Sequence, residues 1–128
     1  MTDCPFCTGY GERLAFEEEL LLGIWDKYPL SPGRLLLVPR RHVEGWFDAS
    51  AEEQAALSLA TTRARTVIEQ QHAPDAYNIG INSGAAAGQT VFHLHVHLIP
   101  RYQGDSPDPR GGLRRLLPDK AAYWDGDS

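Results

Sequence analysis

Gly88-Gln89-Thr90-Val91-Phe92-His93-Leu94-His95-Val96-His97-Leu98-Ile99-Pro100-Arg101 is the stretch on which the reading of this chain turns. The chain has five histidines, and three of them fall here within five consecutive positions, alternating with Leu94, Val96 and Leu98. Successive side chains of a strand point to opposite faces, so a strand over about 92–100 puts all three imidazoles on one face and sends the aliphatics into a core. A merely solvated face normally carries Lys, Glu and Thr, and a His-rich polar surface is the plain alternative. Two chemical readings stand beside it. Imidazoles two residues apart can share one metal, with the third completing a site. Alternatively, one neutral imidazole attacks a phosphorus or acyl centre while its neighbours orient it and protonate what leaves. The loop 84–89 has no acidic residue and can present backbone N–H groups, and Gln89 and Thr90 add side-chain donors. That favours an anionic centre, although a flexible connector would look the same.

Outward from this strand the chain reads as a single domain over residues 1–128, of ordinary globular composition with 42% hydrophobic and 23% charged residues. Glu19-Leu20-Leu21-Leu22-Gly23-Ile24-Trp25-Asp26 and Arg34-Leu35-Leu36-Leu37-Val38-Pro39 read as two strands joined by a turn at Pro29, Pro32 and Gly33. Ser50-x-x-Glu53 is a capping box, and Leu57, Ala60, Ala64, Val67, Ile68 and Gln71 follow helical spacing, with only Gln71 breaking the apolar stripe, until Ala73-Pro74 closes the one long helix. Ala76–Asn82 alternates like a strand, and the Pro-, Gly-, Asp- and Arg-rich chain from Gln103 reads as loop. A net charge of −5 has the wrong sign for a nucleic-acid binder that grips phosphates, so none is expected as a partner. The start shows neither a basic and apolar leader nor a spanning stretch, which predicts a cytoplasmic protein with no membrane partner. In that setting Cys4-Pro5-Phe6-Cys7 points to a metal, to redox chemistry or to plain thiols, in preference to a disulfide.

The quoted stretch resembles the histidine triad (HIT) signature, His-φ-His-φ-His-φ-φ preceded by Gly-Gln-Ser/Thr-Val, where φ is apolar. The resemblance extends upstream through Asp26, Pro32-Gly33-Arg34-Leu35-Leu36-Leu37-Val38-Pro39-Arg40-Arg41-His42, the long helix and Asn82, and so covers roughly residues 4–101. It implies an α+β fold, an antiparallel sheet of about five strands with one long helix packed on it, and a two-fold homodimer whose sheets join. It also implies hydrolysis or transfer at the α-phosphate of a nucleotide through a covalent nucleotidyl-histidine. On the match His95 is the nucleophile, His97 contacts the phosphate or leaving group, and Gln89 and Thr90, after Gly88, hold phosphate oxygens. Asn82 fixes the active-site loop, and Asp26 takes the ribose hydroxyls. Leu22, Ile24 and Trp25 are candidates for the base pocket or for plain core. Some relatives bind a structural zinc through an N-terminal Cys-x-x-Cys, a His after the second strand and the first His of the motif, positions held here by Cys4, Cys7, His42 and His93.

One position departs from the pattern: many members have His where Arg34 stands. A guanidinium stays protonated and cannot relay a proton, so Arg34 either turns away or sets a fixed positive charge near the phosphates. In the tail Arg101, Arg110, Arg114 and Arg115 gather four of twelve basic residues into fifteen positions. They read either as a receiver for extra phosphates or as a solvated loop, and the tail as a segment reaching a dimer partner's site with Tyr123 and Trp124 as anchors. His72 reads as a surface residue or a partner of the helix C-terminus. The expected activity is hydrolysis of dinucleoside polyphosphates such as diadenosine tetraphosphate. Adenosine 5′-phosphoramidate hydrolysis is the alternative within the family, and a non-catalytic nucleotide- or zinc-binding regulator is the alternative from another class.

Overall fold

The computed structural model describes residues 4–27 and 31–124, which leaves Pro29 of the expected turn outside the described residues. Five strands make one sheet: β1 (Leu14–Glu17), β2 (Leu21–Trp25), β3 (Leu35–Pro39), β4 (Ala76–Ile81) and β5 (Val96–Arg101), all antiparallel in the order β1-β2-β3-β5-β4. The central strand β3 is buried at every residue because both of its faces are covered. Leu21, Leu35, Leu37, Val96 and Leu98 face a single long helix, whereas Leu22, Ile24, Leu36 and Val38 face the opposite side under Phe6. Period-two alternation in adjacent strands therefore builds two apolar layers, and the layer away from the helix is roofed by the N-terminal arm.

That helix, α1 (Ala51–Glu69), begins as the capping box requires. Ser50 Oγ accepts the Glu53 N–H at 3.0 Å, and the Glu53 carboxylate accepts the Ser50 N–H at 2.8 Å. Leu57, Ala60, Ala64 and Ile68 form its buried stripe. The helix ends earlier than Pro74, because the N–H groups of Gln71 and His72 both turn back to the Ile68 carbonyl. His72 is half-buried, and its ring stands against Gly33, whose φ of +85° is a left-handed backbone that favours glycine.

The sequence reading missed β1, a short edge strand in which only Phe16 is buried. The histidine strand also starts later than expected. Its ladder begins at Val96, opposite Leu37 of β3 and Ile81 of β4, and the preceding Leu94 N–H instead bonds the Val43 carbonyl at 2.7 Å. Alternation survives upstream of the ladder: Leu94, Val96 and Leu98 all lie in the helix-side core, and the His95 and His97 rings lie 4.8 Å apart. Trp25 packs with the helix-side cluster, on the other face from Leu22 and Ile24, so these three do not line one pocket. The tail carries short 3-10 turns at Gly112–Leu116 and Pro118–Lys120 where plain loop was expected. Among the described residues no helix is long and apolar enough to cross a membrane.

Candidate active site and metal cluster

The arm reaches the histidines through a tight turn. The N–H groups of Cys7 and Thr8 both bond the Cys4 carbonyl, which brings the two thiols to one side. Cys4 Sγ lies 3.3 Å and Cys7 Sγ 3.5 Å from His93 Nδ1, and Cys7 Sγ lies 3.1 Å from His42 Nδ1. The four donor atoms of Cys4, Cys7, His42 and His93 all fall within 4.8 Å of one another. His93 is wholly buried, and its Nε2 lies 2.8 Å from the Pro39 carbonyl, which can only accept. Nε2 therefore carries the proton and Nδ1 offers a lone pair towards the thiols, the ring orientation that metal-ligating imidazoles adopt. Two thiolates and two imidazoles at these spacings fit a tetrahedral Cys₂His₂ zinc site, whose bonds of about 2.0–2.3 Å imply ligand separations a little over 3 Å.

His95 is oriented by the same residue's backbone. Its Nδ1 lies 2.8 Å from the His93 carbonyl, so Nδ1 donates and Nε2 is left with a free lone pair. Burial lowers its pKa, and although the His93 carbonyl and Asp26 oppose that shift, the ring stays neutral at pH 7. Phe6, carried between the two cysteines, lies 5.0 Å from the His95 ring and edge-on to His93 at 5.9 Å. The sequence offered one signal for this wall, an aromatic residue inside the Cys-x-x-Cys, and the reading passed over it.

His97 has the opposite tautomer. Arg34 Nη2 lies 2.8 Å from His97 Nδ1, and a guanidinium has donors only, so Nδ1 accepts and Nε2 bears the proton. That buried Nε2 has no hydrogen-bond partner among the described residues. Burial, then the neighbouring His95 and Arg34, push the His97 pKa down to about 4. Arg34 does not turn away; its Nε forms an ion pair with Asp26 Oδ2 at 3.2 Å, though not aligned as a hydrogen bond. A cleft of about 290 Å³ opens beside Arg34, His97 and Asn82, with Ile81, Leu113 and Leu116 along it. A larger depression of about 610 Å³, between β4, Tyr102 and the tail, contains none of the histidines.

The loop before the motif is held shut by Gln89. Its side chain is buried, with Oε1 accepting the Gly84 N–H at 2.8 Å and Nε2 donating to the carbonyls of Glu44 at 2.6 Å and Val91 at 3.1 Å. Gln89 is thus spent on positioning the loop, with no N–H left for a phosphate oxygen. Gly88, at φ +99°, and Thr90 stay exposed at the loop's end. The basic tail does not form an open receiver either. Arg101 is fixed by Asp105 and Asn78, Arg110 and Arg115 pair with Asp108, and Arg114 donates to the carbonyls of Lys120 and Ala121. Tyr123 and Trp124 stack under Arg114 and Arg110, so these residues are engaged within the chain itself.

One helix on a five-stranded antiparallel sheet, with a row of buried imidazoles leading into its fourth-ranked strand, defines the class of histidine-triad α+β domains. The family described as the HIT domain matches residues 11–104, and the chain belongs to it. An adenylylsulfatase, HINT3 of Arabidopsis thaliana, is 34% identical over 117 residues, 88% of this chain and 59% of that protein. The asymmetrical bis(5′-nucleosyl)-tetraphosphatase of Schizosaccharomyces pombe is 36% identical over 95 residues, 74% of this chain and 52% of that one. The chain therefore spans little more than half the length of these curated relatives. A zinc-bound histidine triad family protein of Mycobacterium smegmatis superposes with a TM-score of 0.72 at 35% identity, covering 98% of both chains.

Proposed function

We propose that this chain hydrolyses dinucleoside polyphosphates, diadenosine tetraphosphate among them, through a nucleotidyl-histidine on His95. The observation that carries the reading is the 2.8 Å hydrogen bond from His95 Nδ1 to the His93 carbonyl, which aims a neutral Nε2 lone pair away from the backbone. In the first step Nε2 attacks the α-phosphorus, and the bond to the bridging oxygen breaks with its electron pair leaving on the departing nucleotide. In the second, water attacks the same phosphorus, the N–P bond breaks and its electrons return to Nε2. For diadenosine tetraphosphate the sum is one water consumed and AMP and ATP released. His97 Nε2–H supplies a donor to the phosphate or the departing oxygen, the exposed backbone at Gly88 and the Thr90 hydroxyl add others, and Asn82 lines the cleft. Asp26 serves the ribose hydroxyls while holding Arg34.

The tetraphosphatase relative supports the polyphosphate substrate; the paired tail arginines lend it nothing. The test is a panel of diadenosine tetraphosphate, adenosine 5′-phosphoramidate and adenylyl sulfate against wild type and His95→Ala. Turnover confined to wild type, with an acid-labile nucleotidyl adduct in its intact mass, supports the reading. Equal turnover in His95→Ala overturns it, and nucleotide binding without turnover in either identifies the regulatory alternative.

The same reading gives the Cys4, Cys7, His42 and His93 cluster a structural zinc, supported by its donor geometry and by the zinc-bound relative. Bound by these four residues, a zinc ion would neutralise the two thiolates and tie the arm to His93. A homodimer through the free edge of β4, where Ile79 is exposed, and a cytoplasmic setting that keeps the thiols reduced complete the proposal.

A further inference from the structure

We infer that Arg34 is a positioning residue that decides which nitrogen of His97 carries the proton, so that His97 works as a fixed neutral donor. The inference deepens the reading above, since a donor at that place matters to the extent that a phosphoryl oxygen arrives there.

Three observations converge. Arg34 Nη2 meets His97 Nδ1 at 2.8 Å, and guanidinium nitrogens offer no lone pair, so the contact is compatible only with an accepting Nδ1. The Asp26 carboxylate holds Arg34 from the other side at 3.2 Å, and the two side chains are 17% and 12% exposed, so the guanidinium is not free to swing into solvent. His97 Nε2 is buried without a protein partner among the described residues, beside a cleft lined by Arg34 and His97 themselves. A buried N–H left without a partner is costly, and a substrate oxygen entering the cleft would satisfy it.

The charge matters as well as the geometry. The groups facing His97 are Arg34 and Asp26 from the β2–β3 side and His95 from its own segment, while β4 presents Gly80 opposite it and the tail adds only Leu113 and Leu116 along the cleft. A permanent cation at hydrogen-bond distance opposes a second proton on the ring. A histidine at position 34 could exchange protons with its neighbour; arginine removes that freedom and leaves one protonation state.

The test uses full-length, metal-loaded protein with ¹⁵N-labelled histidine. Long-range ¹H–¹⁵N spectra of wild type between about pH 5 and pH 8 should show His97 with Nε2 protonated and Nδ1 bare. In Arg34→Met the His97 protonation midpoint should rise by about one pH unit or more as the cation is lost. The kcat should fall by about tenfold to a hundredfold with a smaller change in KM, as when a hydrogen-bond donor to the transition state loses its alignment. Arg34→Lys, which also only donates, should restore the wild-type tautomer and part of kcat. A wild-type spectrum with Nδ1 protonated, or an Arg34→Met protein with wild-type midpoint and kcat, overturns the inference. If Arg34→Met fails to fold, the wild-type spectrum and Arg34→Lys decide alone. Absence of turnover on every nucleotide in the panel would count against the proposed function while the spectra still decide the role of Arg34.

Discussion

Replacing Phe6 with alanine probes the N-terminal arm where fold and site meet. The ring is 7% exposed and covers Leu22, Ile24, Leu36 and Val38 on the face of the sheet opposite α1, with His93 and His95 at its edge. Truncating a buried phenylalanine costs about 3–5 kcal/mol. The arm precedes the first strand and can settle into part of the space, which places this case at the lower end, about 3 kcal/mol. A domain of this length melts about 3–5 °C lower for each kcal/mol lost, so the metal-loaded Phe6→Ala protein should melt about 10 °C below wild type. Phe6→Leu keeps most of the apolar volume and should lose about 1 kcal/mol. Because the same ring walls His95, kcat measured where both proteins are folded should fall by about tenfold in Phe6→Ala, from the loosened nucleophile alone. Circular dichroism melts and turnover of diadenosine tetraphosphate read the two effects. A melting point within about 2 °C of wild type would refute the packing argument, since an unpacked arm could neither roof the sheet nor steady the imidazole.

Three further outcomes are expected. Protein purified without a polyhistidine tag should carry about one zinc per chain by elemental analysis and lose it in Cys7→Ser, and a fully folded metal-free wild type would dismiss the zinc assignment. His97 has its pKa held at about 4 in the folded protein against an ordinary 6.5, so the unfolded chain takes up the proton first. Its contribution is therefore complete above about pH 6.5 and shrinks as the pH falls towards 4; urea unfolding should lose more stability between pH 7 and pH 5 in wild type than in His97→Gln, and equal losses would contradict it. Gly33→Ala places a Cβ 2.8 Å from His72 Cδ2 on a backbone with φ +85°. It should cost about 1–2 kcal/mol in chemical denaturation, and an unchanged midpoint would show that the turn before Arg34 relaxes freely.

The alternation of the histidines was legible because period two belongs to the backbone of any extended segment, and it holds even where the ladder has not begun. The start of the ladder at Val96 was not, since it depends on where β3 and β4 end. β1 escaped notice because Leu14-Ala15-Phe16-Glu17 buries one side chain and so carries too short a pattern to read. Gln89 shows the limit of reading a donor from its type: its amide looked available until the carbonyls of Glu44 and Val91 took both N–H groups. The tail arginines are a different lapse, because Asp105 and Asp108 stand within four residues of Arg101 and Arg110 and local pairing could have been anticipated. Arg34 was marked by its departure from the family pattern, but its partners Asp26, just after β2, and His97, in β5, are brought to it only by the fold.

The cluster on the arm also sets a timetable. Cys4 and His93 are 89 positions apart, so on a ribosome the two thiols emerge long before the imidazole that would complete the proposed zinc site. Through most of synthesis they are a bare dithiol, open to oxidation or to whichever soft cation reaches them first. Since long loops cost only slowly more to close than short ones, the separation burdens the finished domain little. The vulnerable period is kinetic, and it ends when His93 is delivered. A nascent chain halted before His93 would lack His95 as well, so it could neither react with nucleotide through the proposed nucleophile nor close the proposed four-ligand site.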